Sequence, residues 1–348
     1  MRLRNLIRSA IWIVPLLVCS MWALALAGAT SDGEDTPRYS AWSTPVNLGP
    51  PVNTALPEFQ PFVTKDGLSL YFVVLEGPNV GDPQDIWVSK RSSKSDPWGT
   101  PQRLGPAINT PGKVIEAMPF VTVDGHWMYF LSARTGGFGR NDIYVSRRHN
   151  KREDFPTDPS GGWQEAVNLG PNINTSSGEQ APFVFEDEET GITTLYFNSN
   201  RPTNIQHDIY ASTLQPDGTF GPAAPVAELN TPSSNDQHPM LSRDGLQMFF
   251  ISDRPGSRIG NDGFFSSDIW VSTRASTSDP WGTPENLDVV NARLGGGPIN
   301  SMFFEGRPAL SFDGTVLYFH NGGRPENIGG QGFFDIWMTT RTKLNRQE

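Results

Sequence analysis

The chain has 348 residues, a formal net charge of −10 at pH 7 and a single cysteine, Cys19. A surface this acidic repels nucleic-acid phosphates and anionic lipid headgroups, which excludes both as natural partners, and one cysteine excludes a disulfide framework. With 35 glycines and 30 prolines, the chain is turn-dense and suits short strands better than long helices.

Residues 1–29 read as an export signal: Arg2, Arg4 and Arg8 precede an apolar run from Ile11, and Ala27-Gly28-Ala29 offers a small-x-small cleavage site. The rival reading is an uncleaved anchor, because Ile11 to Ala29 is nearly long enough to span a bilayer. Val18, before Cys19, is too large for the usual lipoprotein cleavage pattern. Cleavage would remove three arginines and leave a cysteine-free, still more acidic protein in the periplasm or outside the cell, with no membrane insertion. Residues 30–41 are polar and read as a flexible leader.

From Trp42 onward one pattern recurs five times, at a spacing of about 60 residues. Its prolines are Pro61, Pro119, Pro182, Pro239 and Pro308. Behind each comes a turn, Asp66-Gly67, Asp124-Gly125, the longer Glu186–Gly191, Asp244-Gly245 and Asp313-Gly314. Asp-Gly supplies the positive backbone angles of a tight hairpin, so each copy opens with an antiparallel strand pair. The second strand is aromatic, as in Leu70-Tyr71-Phe72 and Met128-Tyr129-Phe130, and a third begins at Asp85, Asp142, Asp208, Asp268 and Asp335. A fourth element starts at Trp42, Trp98, Trp163, Phe220 and Trp281 and often ends in Asn-Thr. Four strands per unit and five units predict an all-β, five-bladed β-propeller over residues 42–348, a single domain of four-stranded blades. The first fourth-strand element, at Trp42, has no blade before it, and the last copy stops after its third strand. Residues 42–49 are therefore expected to complete the last blade and close the ring.

The run Glu116-x-x-Pro119-Phe120, Asp124-Gly125, Tyr129-Phe130-x-Ser132-x-Arg134 and Asp142-Ile143-Tyr144-Val145 resembles the TolB-type, WD40-like propeller repeat of bacterial envelope proteins. The resemblance covers about 300 residues and implies protein or ligand binding in the envelope more often than catalysis.

Two places draw attention as sites. Three residues before each proline stands an acid, Glu58, Glu116, Glu179, Asp236 and Glu305. Strand alternation puts these five on the channel side, where they must find cations or hold their protons; Ca²⁺, a hard cation, is the metal such a ring would take, with no other cofactor expected. Alternation also puts His238 and Arg307, one residue before their prolines, on that side. Arg134, Arg201, Arg254 and Arg324 follow the second strand in four blades, and a purely structural reading pairs each with a repeat acid or with the aspartate opening the third strand, whereas the first blade has Val74-Leu75-Glu76 there. The second place is the set of long, glycine-rich loops of the last two blades, with Arg258, Asp262, Phe265, Arg293, Phe304, Glu326 and Phe334.

These features predict a noncatalytic binding or scaffold propeller, a monomer engaging a protein or a glycan through its long-loop face and channel mouth. Repetition of nearly all the polar residues and the lack of a Gly-x-Ser-x-Gly nucleophile motif favour it. The alternative is a glycan-active hydrolase using carboxylates at the channel mouth.

Overall fold

In the computed structural model, residues 38–77, 83–149, 162–201, 205–328 and 334–344 are described; the expected export signal lies outside them. Five four-stranded antiparallel sheets make the five blades of a β-propeller. Blade one holds β2 (Glu58–Val63), β3 (Ser69–Leu75), β4 (Gln84–Lys90) and β5 (Gln102–Arg103). Blade two holds β6 (Glu116–Val121), β7 (Trp127–Ser132), β8 (Asp142–Arg147) and β9 (Val167–Asn168). Blade three holds β10 (Glu179–Glu186), β11 (Thr193–Ser199), β12 (Asp208–Thr213) and β13 (Ala224–Pro225). Blade four holds β14 (Asp236–Leu241), β15 (Gln247–Ser252), β16 (Asp268–Thr273) and β17 (Glu285–Asn286). Blade five takes β18 (Phe304–Leu310), β19 (Val316–Gly322) and β20 (Phe334–Thr340) from one end of the chain and β1 (Val46–Asn47) from the other. Among the described residues the sole helix is α1 (Leu287–Arg293).

The aromatic second strands fill the space between blades. Tyr71, Phe72, Phe130, Phe197, Phe249, Phe250 and Phe319 are all fully buried, each contributing roughly 1.5–3 kcal/mol of transfer free energy. At the blade rim a second device recurs. The arginine ending the third strand donates through Nε to the glycine carbonyl of the Asp-Gly turn and lays its guanidinium over the fourth-element tryptophan. Arg91 does so to Gly67 and Trp98, Arg148 to Gly125 and Trp163, Arg274 to Gly245 and Trp281. Blade three, whose turn is longer, has Leu214 bridging Phe220 instead.

Closure reproduces this device across the chain ends. Arg341 donates to Gly314 O and stands 4.3 Å over the ring of Trp42, and Val46 and Asn47 pair with Met338 and Trp337. Tyr39 bridges Lys343 and Ser40 N donates to Thr342 O, so the stretch assigned to the polar leader is stitched to the propeller from residue 38.

The asparagine of the Asn-Thr signature (Asn-Ser at Asn300) ties the connector leaving each blade to that blade's third strand. Asn109 accepts from Ile86 N at 2.9 Å and donates to Ile86 O and Leu104 O at 3.0 and 2.9 Å. Asn53, Asn174, Asn230 and Asn300 make the same pair of bonds to Ile336, Ile143, Ile209 and Ile269.

Candidate active site

Each inner strand begins at the face carrying the fourth-to-first and second-to-third connections, here termed the top, and runs down to the Asp-Gly turns. The five acids open these strands, and every one is buried to 1% exposure or less. They engage their own blades rather than standing open in the channel. Glu116 accepts from Ser132 and Arg134, Glu179 from Thr175, Ser199 and Arg201, Asp236 from Thr231 N and Arg254, and Glu305 from Ser301, Asn321 and Arg324. Burial raises the Glu116 and Asp236 carboxyls against the pull of these hydrogen bonds and arginines, and pushes Glu305 up to about 8 and its neighbour Asp268 up to about 6. Among the described residues no group of three or more His, Cys, Asp or Glu is placed to hold a metal ion.

The acids and the residues two positions on do not share surroundings, because a β-bulge intervenes in every blade. Register shifts fall between Phe59 and Phe62, Ala117 and Phe120, Gln180 and Phe183, Gln237 and Met240, and Gly306 and Ala309. The residue before each proline takes a left-handed backbone, with φ of 56° at Gln60, 55° at Met118, 51° at Ala181, 56° at His238 and 40° at Arg307. Non-glycine residues there cost about 1–3 kcal/mol each, held by their surroundings. An extra residue breaks the period-two rule from which a shared side was expected.

The bulge turns these five backbone N–H groups toward the neighbouring blade, forming a hub. Met118 N donates to Gln60 Oε1 at 3.1 Å, Ala181 N to Met118 Sδ at 3.1 Å, and Arg307 N to His238 Nδ1 at 3.1 Å. Ala181 and Arg307 have no side-chain acceptor. In those two blades the second strand supplies one: Asn198 Oδ1 takes His238 N and His320 Nδ1 takes Gln60 N, both at 3.2 Å. The matching second-strand positions in the other blades, Val73, Leu131 and Ile251, are apolar. Below the hub, Phe62, Phe120 and Phe183 meet edge-on at 5.0 and 4.8 Å, and with Met240 and Leu310 they line a cavity of about 90 Å³ at the bottom mouth, rimmed by Lys65 and Arg243.

Blade one departs from the pattern. Glu76 stands where Arg134, Arg201, Arg254 and Arg324 stand elsewhere, and among the described residues Glu58 is held by Thr54, through its N–H and hydroxyl. Burial pushes Glu58 up to about 7, opposed by the Thr54 hydrogen bonds and assisted by the charge of Asp335. The Glu76 side chain is 31% exposed and lies 3.3 Å from Arg103 Nε, whose Nη2 contacts buried Asp85 at 2.6 Å. Burial and the Asp85 charge raise Glu76, with Arg103 opposing. The sequence signal for this site was the missing arginine.

The long-loop residues divide into two sets. Arg258 pairs with Asp288, Arg293 with Glu285, and Asp262 caps its own turn through Phe264 N, so these three are committed to internal bonds. Phe304 and Phe334 pack around His320 at 5.8 and 5.4 Å, with Phe334 5.7 Å from Phe59, at the channel mouth. Phe265 and Phe304 remain 44% and 37% exposed, beside Phe264 at 74%. Glu326 is exposed, and its carbonyl accepts from Asn47.

No protein-family model and no curated protein matches the sequence. Among solved structures, the catalytic domain of a GH62 α-L-arabinofuranosidase from Coprinopsis cinerea matches with TM-score 0.54 and 15% identity over 88% of this chain and 98% of that one. An α-L-arabinofuranosidase from Lactobacillus brevis matches with TM-score 0.52 and 14% identity over 85% and 93%. A TolB structure from Acinetobacter baumannii reaches TM-score 0.40 with 64% of that chain covered, too little to carry the TolB-type assignment. What stands is the five-bladed propeller. The propellers with better overlap are glycoside hydrolases, so the expected noncatalytic binding or scaffold function is corrected.

Proposed function

We propose that this protein is a glycan-active hydrolase working at the top of blade one. The observation that carries the proposal is the break in the acid–arginine pattern: at Glu58 and Glu76 the ion pair of the other four blades is replaced by two carboxyls, Glu58 pushed up to about 7 and Glu76 raised above its ordinary value by burial. Glycoside hydrolysis needs one carboxyl that still holds its proton and a second that acts as base or nucleophile. Glu76, partly open to solvent, is the proton donor in this reading, and Glu58 the second carboxyl. Exposed Phe264, Phe265 and Phe304 supply apolar faces against which sugar rings stack. The fold likeness to arabinofuranosidases supports this as an analogy of scaffold, and arabinose-substituted xylan is the first substrate to try. The likeness of the repeat to TolB-type blades and the export signal fit an enzyme of the periplasm or cell exterior, acting as a monomer on a glycan.

The test is sugar release from a panel of neutral and acidic polysaccharides. Wild-type protein is expected to release sugar from at least one of them, and Glu76→Gln to lower turnover by about 10²-fold or more with an unchanged melting temperature. A wild-type protein silent on the whole panel, or a Glu58→Gln, Glu76→Gln double variant as active as wild type, overturns the proposal.

A further inference from the structure

The hub has an unusual charge balance for so acidic a chain. Arg307 is buried to 6% exposure, and its Nη2 reaches across the channel to Met118 O and Pro119 O at 3.1 and 2.7 Å. No carboxylate pairs with it among the described residues, and its Nε and Nη1 have no hydrogen-bond partner there. A buried guanidinium is always charged at neutral pH and is ordinarily matched by an anion, because an uncompensated charge in a low dielectric is costly. Burial alone pushes Arg307 down to about 9.

Its neighbours are also donors. His238 and His320 each spend Nδ1 as the acceptor of a backbone N–H, which fixes the proton on Nε2. Those two N–H groups have no partner among the described residues. Burial and the Arg307 charge hold both rings neutral, His320 being lowered to about 3. Phe62, Phe120 and Phe183 form an apolar layer below, and the top of the channel lies on the other side. Gln180 and Gln237, one residue above the bulge, are partly exposed there.

We propose that the hub binds a small monovalent inorganic anion of halide size, paired with Arg307 and approached by the imidazole N–H groups of His238 and His320. The ion would neutralise the buried charge and lock the five inner strands together. The inference is independent of the hydrolase reading, since it concerns the wheel's centre rather than blade one.

The direct experiment is a crystal of the full chain soaked in sodium bromide, with diffraction data collected at the bromine edge. An anomalous peak against the Arg307 guanidinium is expected in wild type. In solution the melting temperature should be higher in sodium chloride than in sodium gluconate of equal ionic strength, by roughly 3 °C or more, and Arg307→Met should erase that difference. The bromide measurement needs no variant, so a poorly folding Arg307→Met leaves the test intact. Absence of a hub peak in wild type, a hub peak that persists in Arg307→Met, or an equal chloride response in both proteins overturns the proposal.

Discussion

At the scale of single residues, Glu58 and Glu76 show how one exchange changes the chemistry of a repeated site. Glu116, Glu179, Asp236 and Glu305 each have an arginine within reach, and among the described residues Glu58 has none. Its folded pKa, about 7, lies above the ordinary 4.5, so between those values the folded state holds more protons than the unfolded one. Stability from this group is complete below pH 4.5 and is lost as pH rises through 7. Glu58→Gln is therefore expected to match wild type in stability near pH 4.5 and to exceed it at pH 8 by on the order of 2 kcal/mol after allowance for solvent screening. Calorimetric scans across that range check it; a variant that tracks wild type at every pH would show that Glu58 ionises freely. Glu76→Arg restores the arm found in the other four blades. It should raise stability by about 1 kcal/mol through a bond to Glu58 and abolish hydrolysis, and the gain should vanish when Glu58→Gln is added.

At the scale of the element, the inner strand shows what a sequence can and cannot announce. Proline, Asp-Gly and the aromatic run name the strands because each fixes a local torsion or a buried face, and Asn-Thr marks where the connector leaving a blade is tied to its third strand. The bulge is silent, because left-handed Gln60, Met118, Ala181, His238 and Arg307 share no side-chain type and none is glycine. That is why the acids and the hub residues were expected on one side of the channel and part company in the fold. The signal that was available is a compensation between strands: an acceptor at the hub goes with Val73, Leu131 or Ile251, and its absence goes with Asn198 or His320. Asn198→Leu should thus orphan His238 N and cost about 1–3 kcal/mol. Ala181→Gln added to it recreates the arrangement of blade one, where Gln60 accepts from Met118 N, and should recover most of the loss. Denaturant unfolding of the two single variants and the double variant checks this as a cycle, and strictly additive losses would refute the coupling.

At the scale of the whole molecule, stability rests on closing the wheel. Two sets of contacts close the ring: β2 of blade one packs against β18, β19 and β20 of blade five, and β1 covers the outer edge of β20. The second set was legible from a surplus fourth-strand element at the start of the chain and a missing one at its end. Its anchor was not, because Asn291 lies in α1, the one helix inserted between blades four and five, and no repeat predicts it. Asn291 Oδ1 accepts from Trp42 N at 2.6 Å, and its Nδ2 donates to Trp42 O and Gly297 O at 3.2 and 2.7 Å. Asn291→Ala leaves the buried Trp42 N–H and carbonyl unpaired and should destabilise the fold by about 1–3 kcal/mol. Removal of residues 1–49 goes further, since it strips the tryptophan from under Arg341 and leaves β20 as an unpaired edge able to recruit a second molecule. The shortened chain should melt well below wild type, lose amide protection first along Trp337–Thr340, and run as dimers or larger species in size-exclusion chromatography. A monomer with wild-type exchange along β20 would mean that the contacts of β2 alone hold the ring shut.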